Sequence, residues 1–189
     1  EIEGGSLDIN GNADISGTLT SGGNVTITGG SDIFLADNGK THYGASNDLE
    51  VYHDGSNSYV TAKGTGDLII QNTTDDKDII FQSDDGSGGV KSYFYLDGSI
   101  GATIVPDSTS LGFGTGGDMY ISHNATNTNI TNFTGDLYIT NKADDKDVIL
   151  QSDDGSGGVT SYLTLDGSAG TIEVAKPMNL VDDLTITGG

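Results

Sequence analysis

Cysteine and tryptophan are both absent from the 189 residues. Without thiols the chain has no disulfide framework and no thiolate metal centre. Without tryptophan it lacks the broadest flat surface for stacking on a sugar ring. Proline occurs only 2 times. Positive charge is scarce too: 7 Lys and Arg stand against 28 Asp and Glu, a formal net charge of -21. Such a chain repels nucleic-acid phosphates and anionic lipid headgroups, so neither nucleic-acid binding nor membrane insertion is expected. Hydrophobic residues make up 33% and aromatics 7%, well short of the roughly 45–50% apolar usage of a globular domain. No apolar run approaches the ~18 residues of a membrane span. No window holds an i, i+3, i+4, i+7 apolar pattern, and the Gly, Asn, Ser and Thr content penalises helices throughout.

What the chain has in quantity is glycine, 30 residues of it, and internal repetition. Residues 67–99 read DLIIQNTTDDKDIIFQSDDGSGGVKSYFYLDGS, and residues 136–168 read DLYITNKADDKDVILQSDDGSGGVTSYLTLDGS. The offset from 67 to 136 is 69 residues, and 24 of the 33 aligned positions are identical. The likeness continues upstream across a one-residue gap, where Asp48–His53 matches Asp118–His123. The organisation expected from this is an N-terminal strand-turn segment over 1–31, a first repeat over 32–99, a second over 100–168 and the start of a further one over 169–189. The chain opens on Glu1 without a signal peptide. Its last residues, Asp183–Gly189, resemble the opening of another repeat, so a processed or cut piece of a longer protein is expected.

Within the long repeat runs a short one: Asp, apolar, any residue, apolar. It begins at Asp32, Asp48, Asp67, Asp78, Asp118, Asp136, Asp147 and Asp183. Its period of two and its Ile, Leu, Val, Tyr and Phe content predict a strand at each site. Clusters of Gly, Asn, Asp, Ser and Thr between them are turn chemistry. The fold class is therefore all-β, with short strands and tight turns in repeated units. QSDDGSGGV, present verbatim at Gln82–Val90 and Gln151–Val159, reads as a hairpin connection with Gly supplying positive φ and the acids facing water.

Parity assigns faces. Ile79 and Phe81 share one, and Val90, Ser92, Phe94 and Leu96 share one, with Lys91, Tyr93 and Tyr95 opposite. In the second copy Val148, Leu150, Val159, Leu163 and Leu165 keep the apolar set. Lys91 becomes Thr160 and Tyr95 becomes Thr164, which places the drift on the outer face. One repeat offers only a thin apolar stripe and cannot bury it alone. The strands can coil into a solenoid, or three chains can lay equivalent stripes on a shared axis. The poor core favours the second, an elongated trimeric β-helical or β-prism fibre.

Several residues invite a chemical reading. Asp84 and Asp85, with their copies Asp153 and Asp154, are candidate calcium ligands beside the Asp75–Asp78 and Asp144–Asp147 clusters. Their spacing fits neither an EF-hand loop nor the calcium β-roll nonapeptide, and the plainer reading is a solvated turn whose acids discourage edge pairing. GSGG follows acids and has no P-loop lysine, so a phosphate cradle is not expected. His53 and His123 occupy equivalent places after a strand; three copies of one of them on a three-fold axis would make a site for zinc, nickel or iron. His42 reads as structural. Glycan cleavage needs two positioned carboxylates, but Asp is too abundant for a pair to be informative. Tyr43, Tyr52, Tyr93 and Tyr95 are better explained as cross-strand partners than as a sugar platform. No serine or cysteine nucleophile motif is present, so no enzyme is expected. Asn24, Asn72, Asn124, Asn129 and Asn132 each head an Asn-x-Thr triplet, which in so Asn- and Thr-rich a chain reads as turn sequence.

Ser6–Thr20, Asp48-Leu-Glu-Val-Tyr-His-Asp-Gly-Ser56 and Gly135-Asp-Leu-Tyr-Ile139 resemble the strand-turn repeats of bacteriophage tail fibres, in particular those of marine phages. The resemblance implies a homotrimer with a β-helical or interwoven β shaft on the virion's outward face. It implies other virion tail proteins and a host cell-surface receptor, glycan or protein, as partners of the full-length fibre. Many such fibres end in a self-cleaving chaperone domain, and nothing here matches it. Two other readings stand beside this one. A bacterial secreted or surface β-solenoid adhesin would fill its acidic turns with calcium, and a tailspike polysaccharide depolymerase would need a working carboxylate pair.

Overall fold

A computed structural model describes residues 13–30, 32–181 and 185. The described residues contain twelve strands and no helix. The strands are β1 (Lys40–Tyr43), β2 (Leu49–His53), β3 (Ser58–Ala62), β4 (Ile79–Asp84), β5 (Val90–Asp97), β6 (Ala102–Ile104), β7 (Ser110–Phe113), β8 (Met119–His123), β9 (Thr128–Asn132), β10 (Val148–Asp153), β11 (Val159–Asp166) and β12 (Thr171–Val174). They form four antiparallel meanders of three strands each, in the orders β1-β2-β3, β4-β5-β6, β7-β8-β9 and β10-β11-β12. The first lies in the unit Glu1–Ile70 and the other three in the unit Gln71–Gly189. The all-β expectation holds. The meanders contain no coil of a solenoid, because every strand pairs with its sequence neighbour and the pairing stops after three.

The long repeat is visible as structure: β1-β2-β3 returns as β7-β8-β9, and β4-β5-β6 returns as β10-β11-β12. The sheets set a different phase from the sequence blocks, since residues 99 and 100 fall in the turn between β5 and β6.

Four of the eight Asp-apolar-x-apolar sites become strands, and in each the aspartate stands just outside. Asp78 Oδ1 accepts the Gly98 amide at 3.1 Å, and Asp147 Oδ1 accepts the Gly167 amide at 3.0 Å, so each ties the start of one strand to the turn at the end of its partner. At the sites after Asp32, Asp67 and Asp136 the chain forms neither a strand nor a turn. The apolar alternation is there; what is missing is a neighbour to accept the backbone hydrogen bonds. Most of the eighth site, and Ser6–Asn12 of the resemblance stretch, lie outside the described residues.

The duplicated nonapeptide is a hairpin connection, as expected. Asp84 pairs with Val90, and Asp85 N–H donates to Gly89 O at 3.0 Å. Gly86 and Gly88 take φ of 82° and 88°, in the left-handed region that L side chains avoid. A β-carbon on Gly86 would meet nothing within 4 Å, so its requirement is purely conformational.

One detail departs from simple parity. Phe81 faces Phe94 but Gln82 faces Ser92, which leaves Tyr93 as an extra residue, a β-bulge. Leu150 with Leu163 and Gln151 with Ser161 repeat it around Tyr162. Cross-strand partners share a face. Phe94 and Leu96 therefore stand with Ile79 and Phe81, while Val90 and Ser92 move to the side of Tyr95. The Val90-to-Leu96 set is thus split between two faces. Lys91 and Tyr95, where the copies drift, stand on opposite sides. The bulge swings the phenol over the hairpin, where Tyr93 Oη donates to Asp84 O at 2.8 Å and Tyr162 Oη to Asp153 O at 3.0 Å.

A Gly86→Ala substitution is expected to cost about 1–2 kcal/mol through left-handed backbone strain alone, and Gly86→Asn distinctly less. Denaturant titration of the two variants against the parent measures the difference.

Candidate functional site

The dominant surface feature is apolar side chain with nothing over it. No hydrophobic residue is buried among the described residues; the buried ones are Glu50 and Thr109. Register gives each sheet an apolar face. In β4-β5-β6 it carries Ile79, Phe81, Phe94 and Leu96, with Phe81 and Phe94 stacked at 4.4 Å between centroids. In β10-β11-β12 it carries Val148, Leu150, Leu163, Leu165, Ile172 and Val174. In β1-β2-β3 it carries Tyr43, Leu49, Val51, Val60 and Ala62, and in β7-β8-β9 Leu111, Phe113, Met119, Ile121 and Ile130. An apolar groove of about 380 Å³ runs between the second and third sheets, lined by Tyr93, Phe94, Thr103, Val105, Ser110 and Leu111.

The areas give this a scale. The chain exposes 15887 Å² at a mass of 19.4 kDa. A compact monomer of that mass exposes about 8,500 Å², and the unfolded chain about 28,000 Å² or roughly 150 Å² per residue. The chain thus buries far less surface than a single compact domain of its mass.

Inside this weakly packed protein sits one concentrated ionic site. Glu50 on the central strand β2 is only 4% exposed. Its Oε2 accepts from Lys40 Nζ at 2.9 Å and Lys63 Nζ at 2.8 Å, and His42 Nε2 lies 3.8 Å from Oε1. The Lys40 ammonium, and after it that of Lys63, holds the Glu50 carboxyl down to about 2. Lys40 also lies over the Tyr52 ring, 4.3 Å from its centroid, and Tyr52 stacks on Tyr59 at 4.8 Å. In the second copy the register substitutes Gly112 for His42, Tyr120 for Glu50 and Phe133 for Lys63. Tyr120 and Phe133 meet edge to face at 5.8 Å, and a β-carbon on Gly112 would come within 2.8 Å of the Tyr120 ring. One backbone position is thus filled by an ion cluster in one repeat and by an aromatic pair in the other. Residue types carry one signal for this cluster: two of the chain's few cations, Lys40 and Lys63, open and directly follow the first meander.

The sequence-predicted candidates sit as follows. Asp84 Oδ2 accepts from Gly86 N–H at 2.8 Å. Asp85 Oδ1 accepts from the Ser87 amide at 2.7 Å, the Ser87 hydroxyl at 2.8 Å and the Gly89 amide at 3.0 Å. Asp153 and Asp154 repeat the arrangement on Gly155, Ser156 and Gly158. The Ser87 hydroxyl, then the Ser87 and Gly89 amides, hold the Asp85 carboxyl below the usual range, and Ser156 and Gly158 do the same for Asp154. These acids do more than face water, since they organise their own loop. No three His, Cys, Asp or Glu side chains converge on a metal position among the described residues.

His53 and His123 end equivalent strands, and their carbonyls accept the Asn38 and Ser108 amides at 2.7 Å and 2.8 Å. Their rings differ: His53 Nδ1 lies 3.2 Å from Ser58 Oγ, and His123 Nδ1 lies 3.1 Å from Asp107 Oδ1. His42 joins the Glu50 cluster. Of the Asn-x-Thr asparagines, Asn72 and Asn124 accept turn amides from Thr74 and Thr126, each at 3.1 Å, whereas Asn129 and Asn132 lie in β9 rather than in a turn.

The sequence matches no protein-family model, and no curated protein or solved structure is similar to it.

Glu50→Gln is expected to lower the melting temperature at pH 7. A carboxyl depressed in the folded state contributes stability that is present above its unfolded value and lost as pH falls through the folded one. For Glu50 that window runs from 4.5 down to about 2. Over that range the variant's melting temperature should therefore fall less steeply than the parent's, as a pH series of melting curves will record. In the hairpin, Asp85→Asn keeps an Oδ1 acceptor and should preserve stability, whereas Asp85→Ala should lose it.

Proposed function

We propose that this chain is a non-enzymatic structural segment of a bacteriophage tail fibre, assembled as a homotrimer, that supports attachment to the host surface. The observation that carries the reading is the repeated apolar face without a covered residue. A folded chain whose described residues bury no hydrophobic side chain has not satisfied the main driving force of folding within itself. Repetition of the same exposed faces in two successive modules is what a shaft requires, because each module must meet the same neighbour as the last. Closed three-fold symmetry converts three thin stripes into one continuous core. The resemblance of the strand-turn repeats to phage fibres supplies the biological setting. The strongly acidic surface suits a part that stays soluble and avoids non-specific contact. On this reading the receptor contact and the junction to other virion proteins belong to the full-length fibre.

The test is mass in solution. Light scattering on the purified chain should give three times 19.4 kDa, and Phe81→Asp with Leu150→Asp, which place charge on two of the apolar faces, should reduce or abolish the trimer. A well-folded monomer sinks the reading. Electron microscopy of the full-length protein should show a thin rod with three-fold averages.

A further inference from the structure

Of the three described stretches that carry the Asp-headed strand pattern but form no strand, two are copies of each other: Leu68-Ile69-Ile70 and Leu137-Tyr138-Ile139. They occupy the same place in the two repeats, after β3 and after β9. Both run without strand, turn or bend, and their residues are 48%, 73% and 62% exposed in the first and 48%, 80% and 66% in the second. Among the described residues their backbone groups enter no backbone hydrogen bond. Each holds three consecutive strand-forming side chains in a chain that has few apolar residues to spare. Extended backbone with apolar side chains and unsatisfied ladder groups is one half of a β-sheet edge.

The other half is also present twice. Each three-stranded meander leaves its outer strands with one free side. Among these outer strands β4 and β10 are the longest, at 6 residues, and both begin with three apolar residues. Neither holds a Lys or Pro that would discourage addition. The opposite edges differ. β6 is followed by Pro106 and β12 by Lys176 and Pro177, and these are the chain's only two prolines. Both prolines thus fall just past the far edge of the same type of sheet, and the near edge carries no such guard.

We propose that Leu68–Ile70 and Leu137–Ile139 are strands donated to a second copy of this chain, where they add to the free edges of β4 and β10. The partner is a second copy because donor and acceptor recur at the same 69-residue spacing, so each chain of the trimer can serve the next at both repeats without a change of register. The large exposed area likewise asks for an extensive, repeated interface. This inference rests on the oligomeric reading above and adds how the copies are joined: through backbone ladders as well as through apolar faces.

The absence of cysteine makes the test direct. Tyr138→Cys, labelled with a benzophenone maleimide in the assembled full chain and irradiated, should give a two-chain product on a denaturing gel, with cross-linked peptides mapping to Val148–Asp153 of the other copy. In the unmodified protein, hydrogen exchange at the amides of residues 68–70 and 137–139 should be slowed about 100-fold or more relative to an unstructured chain. An assembled trimer whose amides at these positions exchange freely, or whose cross-links stay within one chain or map elsewhere, overturns strand donation and leaves the fibre reading intact. A monomeric protein overturns both. Should Tyr138→Cys fail to assemble, the exchange measurement on the parent decides alone.

Discussion

Everything in this structure follows from a shortage of apolar side chains to bury. A meander of three short strands gains its backbone hydrogen bonds locally, but each bond adds only about 1 kcal/mol net against water. Ordering each residue costs a comparable 1–2 kcal/mol of backbone entropy. The balance is normally tipped by a packed core, and among the described residues no hydrophobic side chain is buried. The chain answers with two kinds of economy. It closes its turns with side chains that would otherwise compete with them, and it keeps its apolar residues in register so that one surface can be covered at once.

The turns show how cheaply local order is obtained. Asp85, Asp97, Asp154 and Asp166 each fold a carboxylate back onto amides and a serine hydroxyl within a few residues. Asp54 and Asn124 occupy the same place in the hairpins β2–β3 and β8–β9, and each offers one oxygen to two amides. Exchanging the acid for the amide changes the charge and keeps the acceptor. Much of the chain's negative charge is therefore a by-product of turn building, which is a simpler origin than a cation site for the acidic clusters.

The all-β class, the long repeat and the hairpin at Gln82–Val90 were legible because each rests on local chemistry: period-two alternation, Gly where φ is positive, Asx acceptors. The splitting of the Val90–Leu96 face was not. It depends on Tyr93 being left out of the pairing, and a bulge has no signature in alternation beyond the tyrosine that returns as Tyr162. The unpaired state of Leu68–Ile70 and Leu137–Ile139 was equally invisible, since sequence encodes the tendency to extend but not whether a neighbour stands alongside. The Glu50 cluster was missed for a similar reason. Lys40, Glu50 and Lys63 are separated by ten and thirteen positions, and only the register of β1, β2 and β3 brings them together.

The exchange of that cluster for Tyr120 and Phe133 has a further consequence. Two modules with nearly the same backbone and nearly the same turns are hard to tell apart, and copies lying side by side would be free to slide by a whole module. Position 50 and its counterpart 120 break the degeneracy. A chain displaced by one module would set a carboxylate with two ammonium groups level with a pair of aromatic rings, a mismatch in both hydration and shape. In the trimer proposed above, the difference would act as a vernier mark on an otherwise uniform scale, favouring one alignment of the copies over a shifted one.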